Sequence, residues 1–281
     1  MALTINTNMS SLIVQKNLNA ATSMLNKSIE RMTTGYKINH AADNAAGYSI
    51  ATTWKTQLGS LDVASDNAST GADMLTTLED TYSLITSHLQ RVRDLTEQAA
   101  NGTYGSDSLK AIASEITARL EEIDRISANC EFNGLKMMDG SLTDDINLQV
   151  GLYSDAASRI ALDASLFQNG HVSALFKTFG GVGGATVAEV AKLCSGYDGK
   201  QITGGQNEML NKIDAVISEI SARTTTHGAA QNRIESAVES INVQSENITS
   251  SLSTLRDADV AEESSNYIKA QILQQASATL L

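Results

Sequence analysis

The residue types that most often carry chemistry are present in this chain, but their spacing does not organise them for it. The four histidines are His40, His88, His171 and His227. None has a second metal ligand at the spacing that zinc sites use. The glycine-rich run 180–184 lacks the following Lys-Ser or Lys-Thr of a phosphate-binding loop. Serine, histidine and aspartate also occur without the motif of a nucleophilic triad. We therefore expect no enzyme activity, no metal site and no cofactor.

The amino-acid composition and net charge argue against some classes of binding partner. The formal net charge of -12 and a pI near 4.7 argue against nucleic acid and anionic membranes. No run of about 18 apolar residues is present, so we expect no membrane insertion. The first eight residues lack the basic start and apolar centre of a cleavable signal peptide, so secretion would use another route. Cys130 and Cys194 are either two ordinary thiols or one disulfide.

Two apolar stripes, with spacings that alternate between four and three positions, give the clearest structural signal. One stripe runs from Trp54 to Ala99 and the other from Ile217 to Leu255. This repeat is typical of long helices that bury a narrow face against other helices. The chain contains no proline, which permits such helices, and a helix over 44–100 would be about 85 Å long. The sequence therefore predicts a mainly α protein, an elongated rod of long paired helices.

Turn and capping signals divide the rest of the chain. Gly35 is placed to end a first helix, and Ser106 or Asp107 to cap a third. Alternating apolar residues predict a β-hairpin at about 145–166. Dense glycine predicts a short irregular insert over 168–206, at the tip of the rod. The predicted helices, in chain order, are about 4–34, 44–100, a third from 106, a short one around 187–193, 209–255 and 258–281.

The predicted terminal helices present a packing problem. If the two long helices lie side by side, the N-terminal and C-terminal segments pack together and have only each other for cover. Two helices hide two apolar faces less well than three helices do. Part of that surface should therefore contact other subunits.

At this point the residues resemble those of bacterial flagellins, the subunits of the flagellar filament. The resemblance rests on short motifs in two blocks, one near each end of the chain. The motifs are Ser10-Ser11-Leu12, Asn17-Leu18-Asn19, Ser28–Arg31, Gly35–Asn39, Asp43–Gly47, Leu89–Leu95, Glu115–Arg125, Phe132-Asn133-Gly134, Gln231–Glu235, Asp257–Glu263 and Lys269–Ala276. Each motif is weak by itself, but together and in this order they are specific.

The resemblance implies how the chain is divided into domains. Residues 1–44 with 256–281 would form filament-core helices. Residues 45–176 with 207–255 would form a helical rod domain that includes the hairpin, and the insert 168–206 would replace the variable outer domains. The function implied is head-to-tail polymerisation into the extracellular filament for motility. The assembly residues expected on the terminal helices are Leu12, Leu18, Leu25, Ile29, Ile268, Ile272 and Leu273.

The resemblance also implies recognition by Toll-like receptor five through the rod domain. The matching positions in this chain are Gln90, Arg91, Leu95 and Glu115. Arg91 and Leu95 are one helical turn apart, so we expect a basic and an apolar group on the same face.

Further partners follow from the same resemblance. They are other flagellin subunits, hook-associated junction and cap proteins, and a flagellar export chaperone, with export through the flagellar secretion system. Flagellins usually continue beyond the Gln-Gln-Ala motif, whereas this sequence stops at Leu280-Leu281, so we expect effects on filament assembly and chaperone binding. Two alternatives remain, a hook–filament junction protein and a soluble helical adaptor or secreted enzyme.

Overall fold

The computed structural model describes residues 8–177, 186–196 and 206–280. Within these ranges the chain is mainly helical, which confirms the predicted class. The helices are α1 (Met9–Thr34), α2 (Ala45–Ala100), α3 (Ser106–Asn129), α4 (Val172–Leu175), α5 (Val187–Ser195), α6 (Gln206–Arg256) and α7 (Val260–Leu280). The strands are β1 (Glu131–Phe132), β2 (Leu135–Lys136), β3 (Ile146–Gln149) and β4 (Arg159–Leu162). Short 3₁₀ turns cover Ala156–Ser158 and Ala164–Leu166.

The helix ends test the capping predictions. Gly35 adopts a left-handed φ of 73° and donates its N–H to the carbonyl of Arg31, so it ends α1 as predicted. The predicted cap of α3 is wrong, because the N-cap is Gly105 and no side chain caps it. Ser106 and Asp107 instead lie in the first turn, where the Asp107 carboxylate is favourable to the helix dipole. The predicted start of the first helix, before residue 8, lies outside the described residues.

The described chain divides into two units, and the first contains the terminal helices. This unit comprises the described residues up to Asp62 and those from Asn242 onward. In it α1 and α7 pack antiparallel, as the Thr22–Gln274 hydrogen bond (3.2 Å) and the Arg31–Glu263 ion pair (2.8 Å) show. The terminal segments therefore pack together, as predicted.

Small side chains are among the buried residues of α1 and α7. Ala21 and Ser28 of α1 are buried, as is Ala270 of α7. Small residues let two helix backbones approach closely, and the larger Leu18 and Leu25 of α1 are half-buried in the same unit.

The second unit, Val63–Ile241, contains most of the buried core. Antiparallel α2 and α6 are joined by Arg93–Asp214 at 2.6 Å and Gln231–Glu79 at 3.1 Å. Most apolar members of the predicted stripes that lie in this unit are buried, together with apolar residues of α3. Side chains with no exposed surface include Leu75, Tyr82, Ile85, Leu89, Val92, Ile116, Leu120, Ile123, Ile213, Val216 and Ile220.

Two hairpins belong to the second unit. In the predicted one, β3 pairs antiparallel with β4 in a register that sets Ile146 opposite Leu162. The second, β1–β2, was not predicted and turns at Asn133 (φ 49°) and Gly134 (φ 83°). The Asn-Gly pair favours such a two-residue turn.

Within the predicted insert 168–206, the short helix predicted around 187–193 is confirmed as α5. This helix begins with a Thr186–Glu189 capping box and packs against α3. Val190 and Cys194 on this helix are buried, so α5 belongs to the core of the second unit. The flanking glycine-rich segments 178–185 and 197–205 lie outside the described residues. The predicted domain boundaries and the rod shape stay predictions.

Candidate assembly face and receptor surface

The predicted assembly residues lie on α1 and α7 of the first unit. The five that are exposed are Leu12 (51 %), Ile29 (44 %), Ile268 (54 %), Ile272 (60 %) and Leu273 (43 %). Leu18 and Leu25 are half-buried. Several large apolar side chains of α1 and α7 are thus left in water. We call the exposed apolar residues of α1 and α7 the terminal apolar face.

Sequence reasoning missed several members of the terminal apolar face. The additional exposed residues are Met9, Ile13, Met24, Met32, Val260 and Leu280. A signal was available for Met9 and Met32, because they recur at helical spacing near the same face of α1 as Leu12 and Ile29.

Charged residues border the terminal apolar face. A hollow of about 190 Å³ lies between α1 and α7, lined by Met24, Lys27, Arg31, Glu263 and Leu273 among others. Two of the charged residues that line this hollow are in ion pairs. Lys27 pairs with Asp43 at 2.7 Å, and Arg31 pairs with Glu263 at 2.8 Å. The hydrogen bond from Lys27, helped by the backbone N–H of His40, lowers the pKa of Asp43 to about 2. The hollow therefore offers both apolar and polar contacts to a protein surface.

Three of the four predicted receptor residues are on the surface of the second unit. Gln90 and Arg91 are exposed, and Glu115 is half-buried. The Arg91 Nε donates a hydrogen bond of 2.9 Å to the Glu115 carboxylate, so this ion pair joins α2 to α3. An Arg–Glu pair of this kind presents donors and acceptors to a partner.

The prediction that Leu95 shares the exposed face of Arg91 is wrong, because its side chain is only 2 % exposed. Four residues along a helix turn the side-chain direction by about 40° beyond a full turn. That rotation carries Leu95 towards the interior, where the neighbouring Val92 and Thr96 are fully buried. Leu95 is therefore a core residue of the second unit.

Within the described ranges, no three histidine, cysteine, aspartate or glutamate residues are grouped so that they could hold a metal ion. None of the described helices has the length and apolar character needed to cross a bilayer. Cys130 and Cys194 are both buried free thiols.

Comparisons with protein families match both ends of the chain. Residues 5–143 match the bacterial flagellin N-terminal helical region, and residues 210–281 match the bacterial flagellin C-terminal helical region. The two regions together span more than half of the chain.

Similar proteins span nearly the whole chain. The flagellin of Bacillus subtilis (strain 168) is 32% identical over 295 residues, which cover 99% of this chain and 94% of that protein. Flagellin FlaB1 of Treponema pallidum (strain Nichols) is 30% identical over 282 residues, with the same coverage of 99% and 94%.

Solved structures with a similar fold include the following one. It is described as a flagellar hook-associated protein from Vibrio parahaemolyticus and aligns with a TM-score of 0.64 over 76% of this chain and 100% of that chain. At 12% sequence identity this likeness concerns the fold alone.

Proposed function

The chain belongs to the bacterial flagellin family, and on that premise we propose that it polymerises head-to-tail through the terminal apolar face. Membership of the family makes it a structural subunit of the flagellar filament, an extracellular polymer. The observation that carries the proposal is the exposure of large apolar side chains on both α1 and α7, such as Leu12 at 51 % and Ile272 at 60 %.

The driving force of the proposed assembly is apolar burial. Each Å² of apolar surface removed from water contributes about 25 cal/mol, so one fully covered isoleucine contributes about 2 kcal/mol. A stable contact between subunits requires a total buried area of about 1,000 Å² or more. A face on one subunit that binds a different face on the next subunit propagates as an open helical polymer. The half-buried Leu18 and Leu25 would complete the contact around the exposed residues.

Seeded growth tests this assembly proposal. Full-length subunits are added to short flagellar seeds, and filament length is followed by negative-stain electron microscopy. The double variant Ile268→Ser/Ile272→Ser removes two exposed isoleucines of α7, so we expect the critical concentration to rise at least about tenfold.

A matched control separates assembly from folding. Leu84→Ser removes an exposed apolar side chain (55 %) from the second unit and should leave growth unchanged. Circular dichroism should show equal helicity in all three proteins. Normal growth of the α7 double variant would contradict the proposed role of the terminal apolar face.

We also propose that Gln90, Arg91 and Glu115 contact Toll-like receptor five. Support comes from the exposure of Gln90 and Arg91, and from the ion pair that holds Arg91 to the half-buried Glu115 across α2 and α3. Leu95 is left out of the proposed contact because its side chain is buried. A guanidinium group that retains exposed donors can bind a carboxylate or a carbonyl of the receptor.

Arg91→Ala tests the receptor proposal directly. We expect it to weaken binding of the receptor ectodomain by about tenfold or more, since charged contacts at an interface centre often contribute at least 2 kcal/mol. The measurement is surface plasmon resonance with the free subunit. Arg125→Ala removes a comparable exposed arginine, which pairs with Glu122 at 2.6 Å on α3, and should leave affinity unchanged. Equal affinities of the wild-type and Arg91→Ala proteins would contradict the contact.

The remaining partners are proposals at the level of the family. They are the hook-associated junction and cap proteins and the export chaperone, with export through the flagellar secretion system without a cleaved signal peptide. We assign no described residue to these contacts.

A further inference from the structure

The methionines of this chain fall into two groups that differ sharply in exposure. The sequence has eight, and Met1 lies outside the described residues. Those of α1 are exposed: Met9 (63 %), Met24 (57 %) and Met32 (39 %). Those of the second unit are buried: Met74 (4 %), Met137 (0 %), Met138 (0 %) and Met209 (2 %).

Exposure decides which thioether an oxidant can reach. In the reaction with hydrogen peroxide, a sulfur lone pair attacks one peroxide oxygen. An S–O bond forms as the O–O bond breaks. The sulfur loses two electrons, and the second oxygen leaves as water after taking up a proton. The product, methionine sulfoxide, is polar and chiral, and methionine sulfoxide reductases convert it back to methionine.

We propose that Met9, Met24 and Met32 are sites of reversible oxidation by hydrogen peroxide in the free subunit, and that their sulfoxides block polymerisation. This inference rests on the proposed function, because all three methionines belong to the terminal apolar face. Sulfoxide oxygens placed at a contact between subunits lose water without gaining a matched donor, which disfavours burial of that face.

Met24 illustrates how oxidation would act. It lines the hollow between α1 and α7 together with Leu273, which is itself exposed. A sulfoxide at this position places a strong acceptor beside an apolar side chain that the contact would bury. Met9 lies nearer to the N-terminal end of α1 and Met32 lies in its last turn, so oxidation would alter the face along most of the helix.

The two cysteines do not compete for the oxidant. Cys130 and Cys194 are buried thiols, and thiolate is the form that reacts with peroxide. Burial raises the pKa of both thiols, that of Cys194 to about 12, so little thiolate is present near neutral pH.

The first test maps the oxidised sites. Folded full-length subunits are treated with hydrogen peroxide, digested, and analysed by peptide mass spectrometry. We expect Met9, Met24 and Met32 to be oxidised and the four methionines of the second unit to stay reduced. Oxidation of all the methionines at similar rates would overturn the site assignment, whether or not the subunit polymerises.

The second test measures polymerisation on flagellar seeds. Oxidised subunits should elongate seeds at least about tenfold more slowly than untreated subunits, with unchanged helicity. Treatment with methionine sulfoxide reductases A and B should restore the rate, since each reduces one sulfoxide epimer. Equal rates before and after oxidation would overturn the proposed block.

A matched variant isolates the three methionines. Met9→Leu/Met24→Leu/Met32→Leu conserves apolar volume, so it should polymerise and should be insensitive to peroxide. Loss of its polymerisation after peroxide treatment would place the sensitive groups elsewhere and overturn the proposal. If untreated wild-type subunits failed to elongate seeds, the proposed function would be at fault, and the oxidation map would still decide the site assignment.

Discussion

At the scale of single residues, a buried histidine interrupts the apolar seam of α6. His227 has no exposed surface, and its Nε2 lies 2.9 Å from the carbonyl oxygen of Leu166. The ring meets Tyr82 edge-on, with centroids 5.2 Å apart. Only a protonated Nε2 can donate to that carbonyl, so Nδ1 is the deprotonated nitrogen of the neutral ring, and it has no partner among the described atoms. His227 is therefore a structural residue of the core, held neutral.

This arrangement predicts a pH dependence of stability. Burial lowers the pKa of His227 below its ordinary value of 6.5, against the opposing effect of the Leu166 hydrogen bond. The unfolded chain therefore binds more protons below about pH 6.5, and the contribution of neutral His227 is present above that pH and lost as pH falls below it. The variant His227→Gln keeps a donor for Leu166 but does not titrate. Its free energy of unfolding should fall less than that of the wild type between about pH 7.5 and about pH 5.5.

Urea unfolding followed by circular dichroism measures this difference. The lowered pKa of Asp43, about 2, keeps that carboxylate charged throughout the same range, so it does not contribute to the slope. An identical loss of stability in the two proteins would show that His227 is not the titrating group.

At the scale of elements, the sequence predicts the long helices well because one local rule governs them. A spacing of four and three residues, uninterrupted by proline, specifies a buried stripe wherever another helix covers it. The β3–β4 hairpin was also predictable, since residues 146–152 and 160–164 alternate in polarity.

Tertiary contacts were harder to predict than the elements that make them. The short helix predicted around 187–193 is present as α5, but its packing against α3 is a contact that no local pattern encodes. The docking of the β3–β4 hairpin on α2 is another such case. Leu148 fits against Gly71, where a methyl group would collide with it, and Asn67 donates to the carbonyl of Gln149 at 3.1 Å.

The exposure of candidate site residues was also hard to predict from the sequence. Helical spacing alone places Leu95 on the same face of α2 as the exposed Arg91. In the structure the Leu95 side chain is buried, because other elements pack over it. The exposed methionines of α1 are not among the predicted assembly residues for the converse reason. Their exposure depends on which face of α1 is covered by α7, and helical spacing alone does not specify that face.

At the scale of the whole molecule, the two units differ in how they use apolar residues. The second unit buries its seams around α2, α3 and α6. The first unit pairs α1 with α7 and leaves the terminal apolar face in water. Such a protein is suited to polymerisation. Its second unit already buries its apolar residues, whereas the terminal apolar face of the first unit can still gain free energy when another copy removes it from water.

Amide hydrogen exchange, followed by mass spectrometry in free subunits and in seeded filaments, tests that central claim most directly. We predict that α1 and α7 exchange rapidly in the free subunit and are strongly protected in the filament. The buried stripe of α2 within Val63–Ala100 should be protected in both states. Equal protection of α1 and α7 before and after polymerisation would contradict the claim that other subunits cover the terminal apolar face.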